Sequence, residues 1–164
     1  MAVEIERKFL VKPEIKKELK DFLLTSKEIT QGYLYNSVEK TVRVRALEPY
    51  EGETKGFITV KGQGHLSRVE YEYAIPFEDA KEMLDSMCES VLKKTRTVIS
   101  VGEHSWEIDV FHGENDGLIV AEIELGSEDE EFELPDWVDK EITGQGKYLN
   151  ACLINYPFSA WGQR

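Results

Sequence analysis

The sequence predicts an α+β fold that is mainly β: eight strands with a few flanking helices, in one domain spanning residues 1–164. Three observations carry this. Segments alternating with period two fill most of the chain, whereas segments with helical period are few and short. Seven of the eight strand segments also carry ionic residues on one face and mostly Val, Ile, Tyr or Trp on the other.

The first strand is VEIERKFLV, residues 3–11, with Val3, Ile5, Phe9 and Val11 on one face and Glu4, Glu6 and Lys8 on the other. Pro13 then opens a helical stretch, with Ile15, Leu19, Phe22 and Leu23 at helical spacing. Further strands are expected at about 29–36, 40–47, 56–62 and 68–75. A second helix runs from Phe77 to Cys88, its apolar stripe being Ala80, Met83, Leu84 and Met87. The last three strands fall at 91–100, 104–111 and 118–125, and a third helix at Tyr148–Leu153. The stretches EPYEGET at 48–54 and GEND at 113–116 read as connections. GQGH at 62–65 reads as a turn, because it is too short and wrongly placed for a phosphate loop leading into a helix. The acidic run Glu128–Glu131 is a solvated loop or a helix start.

Composition narrows the classes of function. At 164 residues, 41% of them hydrophobic, the chain can bury one good core. A net charge of −12 argues against general binding to nucleic acid or to an anionic membrane, both of which need broad positive surface. No apolar run approaches the ~20 residues of a membrane span. Glu4, Glu6, Arg7 and Lys8 stand where a signal peptide would need an apolar segment, so a cytoplasmic location is expected. Cys88 and Cys152 are far apart and read as buried free thiols in a reducing compartment. The aromatic tail from Tyr156 to Trp161 is either a homodimer contact or a cover for the barrel.

The charged faces pose the central question. TVRVR presents Arg43 and Arg45, ITVKG Lys61, and RVEYEY Arg68, Glu70 and Glu72. KKTRTV adds Lys94 and Arg96, WEIDVF Glu107 and Asp109, and VAEIEL Glu122 and Glu124. A sheet packed on helices with its charged face in water satisfies this pattern. So does a barrel with the charges inside, provided they pair or bind a ligand of matching charge. Two details favour the barrel. The face is built from few residue types, in E-x-E and R-x-R or K-x-R pairs, where a solvated face mixes in Ser, Thr, Gln and Asn. Basic pairs also gather on the strands of a strongly acidic protein, which points to a local anion site. The glutamates beside them are hard oxygen donors suited to Mg²⁺ or Mn²⁺. His65, His104 and His112 are scattered and read as surface residues. A polyanion held by Arg and Lys with a divalent cation on carboxylates is the arrangement that phosphoryl transfer uses.

Glu4-Ile5-Glu6-Arg7-Lys8, followed in order by TVRVR, ITVKG, RVEYEY, KKTRT, EIDVF and VAEIEL, resembles the CYTH domain, or triphosphate tunnel metalloenzyme, family over roughly residues 3–150. The small single-domain bacterial members look most similar. The resemblance implies an eight-stranded antiparallel β-barrel enclosing a triphosphate-binding tunnel. It implies metal binding by Glu4, Glu6, Glu122 and Glu124, with Asp109 near the metal end. Phosphate binding falls to Lys8, Arg43, Arg45, Lys61, Lys94 and Arg96, and Glu70 and Glu72 stand on the tunnel wall. Gln31-Gly32-Tyr33-Leu34 resembles a stretch whose tyrosine lies near the phosphate, although core packing is an equal reading of Tyr33. Gly146 to Asn150 looks like the start of a C-terminal helix at one tunnel mouth, from which Lys147 reaches a phosphate. Arg7 faces outward, and Arg68 reads as an ordinary solvated charge at a strand entry.

The activity implied is metal-dependent hydrolysis of a triphosphate, with inorganic tripolyphosphate leading and Lys8, Lys61 and Tyr33 as the catalytic candidates. Adenylate cyclase and thiamine triphosphatase chemistry on the same fold are the alternatives within the family. A non-catalytic module for polyphosphate or nucleotide is the alternative outside enzymology.

Overall fold

The computed structural model describes residues 2–63 and 67–162, apart from the side chains of residues 2–4 and 67. Nine strands and three helices follow in the order β1 (Ala2–Val11), α1 (Ile15–Leu19), β2 (Ser26–Asn36), β3 (Thr41–Pro49), β4 (Lys55–Lys61), β5 (Ser67–Ile75), α2 (Phe77–Ser86), β6 (Val91–Val101), β7 (His104–Phe111), β8 (Ile119–Glu124), β9 (Val138–Glu141) and α3 (Asn150–Leu153). The eight expected strands are present, with ends moved by a few residues. The short β9 is additional, as its four residues, VDKE, carry no apolar alternation. Residues 64–66 of the expected 62–65 turn, with His65, lie outside the described residues.

The strands form one antiparallel sheet in the order β5-β4-β3-β2-β6-β7-β8-β1-β9. β5 also pairs with the start of β1, Ala2 opposite Glu70 and Ile5 opposite Ser67. From Glu6 onward β1 pairs with β8 instead, so the sheet curls back on β1 as its seam. Curling turns one face of every strand inward, and period two decides which residues go there.

The outward face packs in two places. Phe9, Trp106, Ile108, Ala121 and Ile123 meet Ile15 of α1 and Trp137 of the segment before β9. On the other side Val44 and Ala46 of β3 meet Ala80 and Leu84 of α2. Two glycines permit this second contact. A Cβ at Gly32 would stand 2.8 Å from Cys88 Sγ, and one at Gly56 would stand 2.9 Å from Ala80 Cβ.

A third cluster lies on the inward face. Leu10, Leu92, Phe111 and Val120 point into the curl, where Tyr148, Leu153 and Trp161 of the C-terminal segment cover them. The aromatic tail therefore packs on its own barrel, with Tyr148 and Phe158 edge-on to Trp161 at 5.1 and 5.2 Å between ring centres.

The helices are shorter than the periodicity predicts. α1 gives way to a 3₁₀ turn over Lys20–Thr25 that breaks at Phe22 (φ −121°, ψ 29°), leaving Leu23 exposed. α2 stops at Ser86, two residues early, and leaves Met87 exposed. Gly146–Tyr148 forms a 3₁₀ turn before α3 begins at Asn150. Of the two cysteines, Cys88 is half-buried but Cys152 is exposed, because α3 turns only Leu153 inward. No described helix is long and apolar enough to cross a membrane.

Candidate active site

The inward faces of β1 to β8 line a cavity of about 1070 Å³. It extends from Val98 and Ser105, beside the β6–β7 turn, to Asn36 and Lys40, beside the β2–β3 turn. Because β2 and β6 are antiparallel neighbours, those turns sit at opposite ends of the barrel. The cavity is thus a tunnel along the strands, flanked at the second end by the apolar cluster under α3.

One wall is acidic. Glu6 lies directly across from Glu124, and Glu122 stands between Lys8 on β1 and Glu107 on β7. Like charges set opposite one another on neighbouring strands repel unless something compensates. Lys8 Nζ is 3.9 Å from Glu122 Oε1 and Arg96 Nη2 is 3.7 Å from the same oxygen. Burial works against the Glu122 charge, but Lys8, Arg96 and a hydrogen bond with Glu6 hold its carboxyl well below the ordinary range.

The other wall is basic. Arg43 Nη2 donates to Thr59 Oγ1 at 3.1 Å and stands 3.7 Å from Glu72 Oε1, while Thr59 donates to that same carboxylate at 3.0 Å. The buried Nε of Arg43 has no acceptor among the described residues. Lys61 Nζ is 3.2 Å from Glu70 Oε2. Arg45 gives both Nε and Nη2 to Gln31 Oε1, at 3.1 and 2.8 Å. Burial first, then Arg43 and Arg96, push Arg45 down to about 9, which still leaves it charged at neutral pH. The unpartnered Nε of Arg43, together with its 3.7 Å separation from Glu72, leaves this wall with a guanidinium able to take a further anionic oxygen.

Three expected site residues stand elsewhere. Asp109, expected near the metal, is 1% exposed and lines no part of the cavity. Arg96 Nε and Nη2 grip its two oxygens at 2.7 and 2.8 Å, and Lys94 Nζ approaches Oδ2 at 2.7 Å. Both oxygens are consumed, so Asp109 is a counter-ion rather than a free ligand. Lys94, expected on phosphate, is fully buried behind Arg96, its Nζ 5.5 Å from the Phe111 ring centre. Burial pushes it down to about 7 against the pull of Asp109. Lys147 is not among the lining residues, because its ammonium stacks 4.4 Å from the Trp161 ring centre.

The other expected positions line the cavity: Glu6, Lys8, Tyr33, Arg43, Arg45, Lys61, Glu70, Glu72, Arg96, Glu122 and Glu124. Tyr33 is half-buried in the lining rather than in the core. The side chain of Glu4 lies outside the described residues. Arg7 faces outward as expected and pairs with Glu141 on β9 at 2.6 Å. Arg68, read as solvated, lines the cavity instead, as does Glu107. Gln31 and Thr59 are both 0% exposed and were not singled out in the sequence, because neutral side chains escape a search for alternating charge. His104 and His112 pair with Glu130 and Thr95 outside the cavity.

Hard oxygen donors crowded in like-charge opposition suit a divalent cation. Among the described residues no three carboxylates close into a metal-holding group. Glu6, Glu122 and Glu124 stand on the same wall, Glu124 facing Glu6 across the strands. This donor set fits the cation.

An antiparallel β-tunnel with an acidic wall and a basic wall defines a class of protein that encloses a polyanion together with its counter-cation. The chain belongs to the CYTH domain family, whose family model matches residues 2–150. It is 42% identical over 160 residues to an inorganic triphosphatase of Acetivibrio thermocellus, covering 96% of this chain and 97% of that protein. It is 33% identical over 156 residues to an inorganic triphosphatase of Nitrosomonas europaea, covering 92% and 95%. Among solved structures it resembles the inorganic triphosphatase NE1496, with a TM-score of 0.61 and 28% identity over 94% of this chain and 95% of that one.

Proposed function

We propose that the chain hydrolyses inorganic tripolyphosphate to pyrophosphate and phosphate with Mg²⁺ or Mn²⁺. The observation that carries this is a basic wall, with the buried Arg43 Nε unpartnered among the described residues, facing an acidic wall across one tunnel. The naming of two full-length relatives as inorganic triphosphatases supports it.

Glu6, Glu122 and Glu124 would hold the cation, joined by Glu4 from the same face of β1. A cation held by these carboxylates would supply positive charge to offset the phosphate oxygens and the charge developing on the leaving group. Arg43 and Arg45 present planar forks that anchor non-bridging oxygens. Lys8 and Lys61 place compact ammonium groups where charge builds as the terminal phosphate departs. Arg96 reaches the substrate while its other edge is fixed by Asp109, and Tyr33 adds a hydroxyl to the same wall. Glu70 and Glu72 keep Lys61 and Arg43 in place. The free cysteines fit a reducing, cytoplasmic setting.

The test is incubation with tripolyphosphate, ATP or thiamine triphosphate and each metal, followed by product identification. Phosphate and pyrophosphate from tripolyphosphate support the reading. Cyclic AMP, preference for thiamine triphosphate, or binding without turnover replaces it.

A further inference from the structure

Gln31 has a role that its neutrality concealed. Its side chain is wholly buried on the inward face of β2, between Arg45 of β3 and Tyr33 two residues along the same strand. Its Oε1 accepts both Nε–H and Nη2–H of Arg45, and its Nε2 donates to Tyr33 Oη at 3.2 Å. The orientation of this amide is forced. Arginine has only donors, so the atom facing Arg45 is the oxygen and the NH₂ must face Tyr33. Tyr33 Oη therefore accepts from Gln31. Its own proton cannot point back at an NH₂ group and is turned elsewhere, and among the described residues the Tyr33 hydroxyl makes no hydrogen bond besides the one from Gln31. Tyr33 lines the cavity.

We infer that Gln31 is a positioning residue: by fixing the Arg45 fork and occupying the acceptor side of Tyr33, it aims the Tyr33 hydroxyl proton into the tunnel as a donor to the bound polyphosphate. This rests on the reading of the tunnel as the catalytic site. One buried amide thus sets the direction of a charged donor and a neutral one together. With Nε–H and one Nη2–H committed to the amide, Arg45 keeps the end of its fork, the Nη1–H groups and the second Nη2–H, for a phosphate oxygen.

The test is a pair of cycles. Gln31→Glu keeps shape and an oxygen for Arg45 but replaces the NH₂ with an acceptor, drawing the Tyr33 proton away from the tunnel. Its kcat on tripolyphosphate should fall about tenfold, the scale of one lost hydrogen bond. The same substitution in a Tyr33→Phe background should leave the kcat of that background within about twofold, since no hydroxyl remains to misdirect. Equal falls in both backgrounds would overturn the inference. A second arm needs no turnover: the Arg45 Nε–H resonance, assigned by loss in Arg45→Lys, should keep its place in Gln31→Glu and move in Gln31→Met. An unmoved resonance in Gln31→Met overturns the Arg45 half. Gln31→Met also serves in the kinetic cycle if the glutamate variant does not fold. Wild type that turns over no tripolyphosphate defeats the catalytic reading, while the resonance still reports whether Gln31 holds Arg45.

Discussion

Arg96 and Asp109 face each other across β6 and β7 in a two-pronged grip, Nε to Oδ1 at 2.7 Å and Nη2 to Oδ2 at 2.8 Å. Burial opposes the Asp109 charge, but Arg96 and then Lys94 hold its carboxyl below its ordinary 3.8. Glu122 is likewise held well below 4.5. With folded values depressed, the unfolded chain binds more protons as the pH falls through 4.5 and 3.8, so stability is full above that range and is lost below it. Urea midpoints measured from pH 7 to pH 3 should be level at first and then drop. Asp109→Asn should cost about 3–5 kcal/mol at neutral pH, because it leaves two buried cations without their carboxylate, and should flatten the acid limb. A variant as stable as wild type at pH 7 would show that the grip contributes nothing net.

Glu6 lies across from Glu124 and lines the tunnel. Glu6→Gln should fold, since it relieves like-charge crowding, and should raise the metal concentration for half-maximal activity by about tenfold or more. Glu4→Gln should behave similarly. Metal titrations unchanged in both variants would remove the acidic wall from cation binding.

Lysines and arginines of the tunnel should separate kinetically. Lys8→Ala and Lys61→Ala should lower kcat, because an ammonium near the departing oxygen acts mainly on the transition state. Arg45→Ala should mainly raise KM. Full recovery of kcat by the lysine variants at saturating tripolyphosphate would leave them a binding role only.

A tunnel of crowded charges is strained without its ligand. Tripolyphosphate at ~100 times its dissociation constant should add about 2.7 kcal/mol to unfolding stability, as for any ligand that binds only the folded state. Thermal melts with and without tripolyphosphate and metal read this directly. An unmoved midpoint would speak against the tunnel as the site.

The sequence made the strands and their inward faces legible for one reason: period two is a strong signal when one face is ionic. Alternation reveals a side chain's face but not its depth along the barrel. Lys94 and Asp109 are on the predicted face yet lie beside the apolar floor, not in the cavity. The sign was available, since Leu92 and Phe111, two residues beyond each on the same face, are apolar and mark where the tunnel ends. Arg68 was set aside because a charge near a strand entry is ordinarily solvated. Here the curl of β5 onto β1 brings that entry inside. Gln31 and Thr59 carry no charge, and only the folded contacts show that they orient Arg45 and Arg43.

β1 is both the seam of the barrel and the bearer of Glu6 and Lys8. Its partner for Lys8 is Glu122, more than a hundred residues later in the chain. Pairings this distant in sequence are closed late and slowly, since the loop entropy must be met before the contact forms. During synthesis the start of β1 can pair with β5 once that strand exists, but the stretch from Glu6 to Leu10 has no edge to join until β8 is made. An unfinished chain therefore presents the basic strands β3 and β4 without the opposed carboxylates of β8. The acidic wall is completed by the same step that seals the sheet, so competence to bind a polyanion with its cation arrives with the final closure of the fold and is forfeited whenever that seam opens.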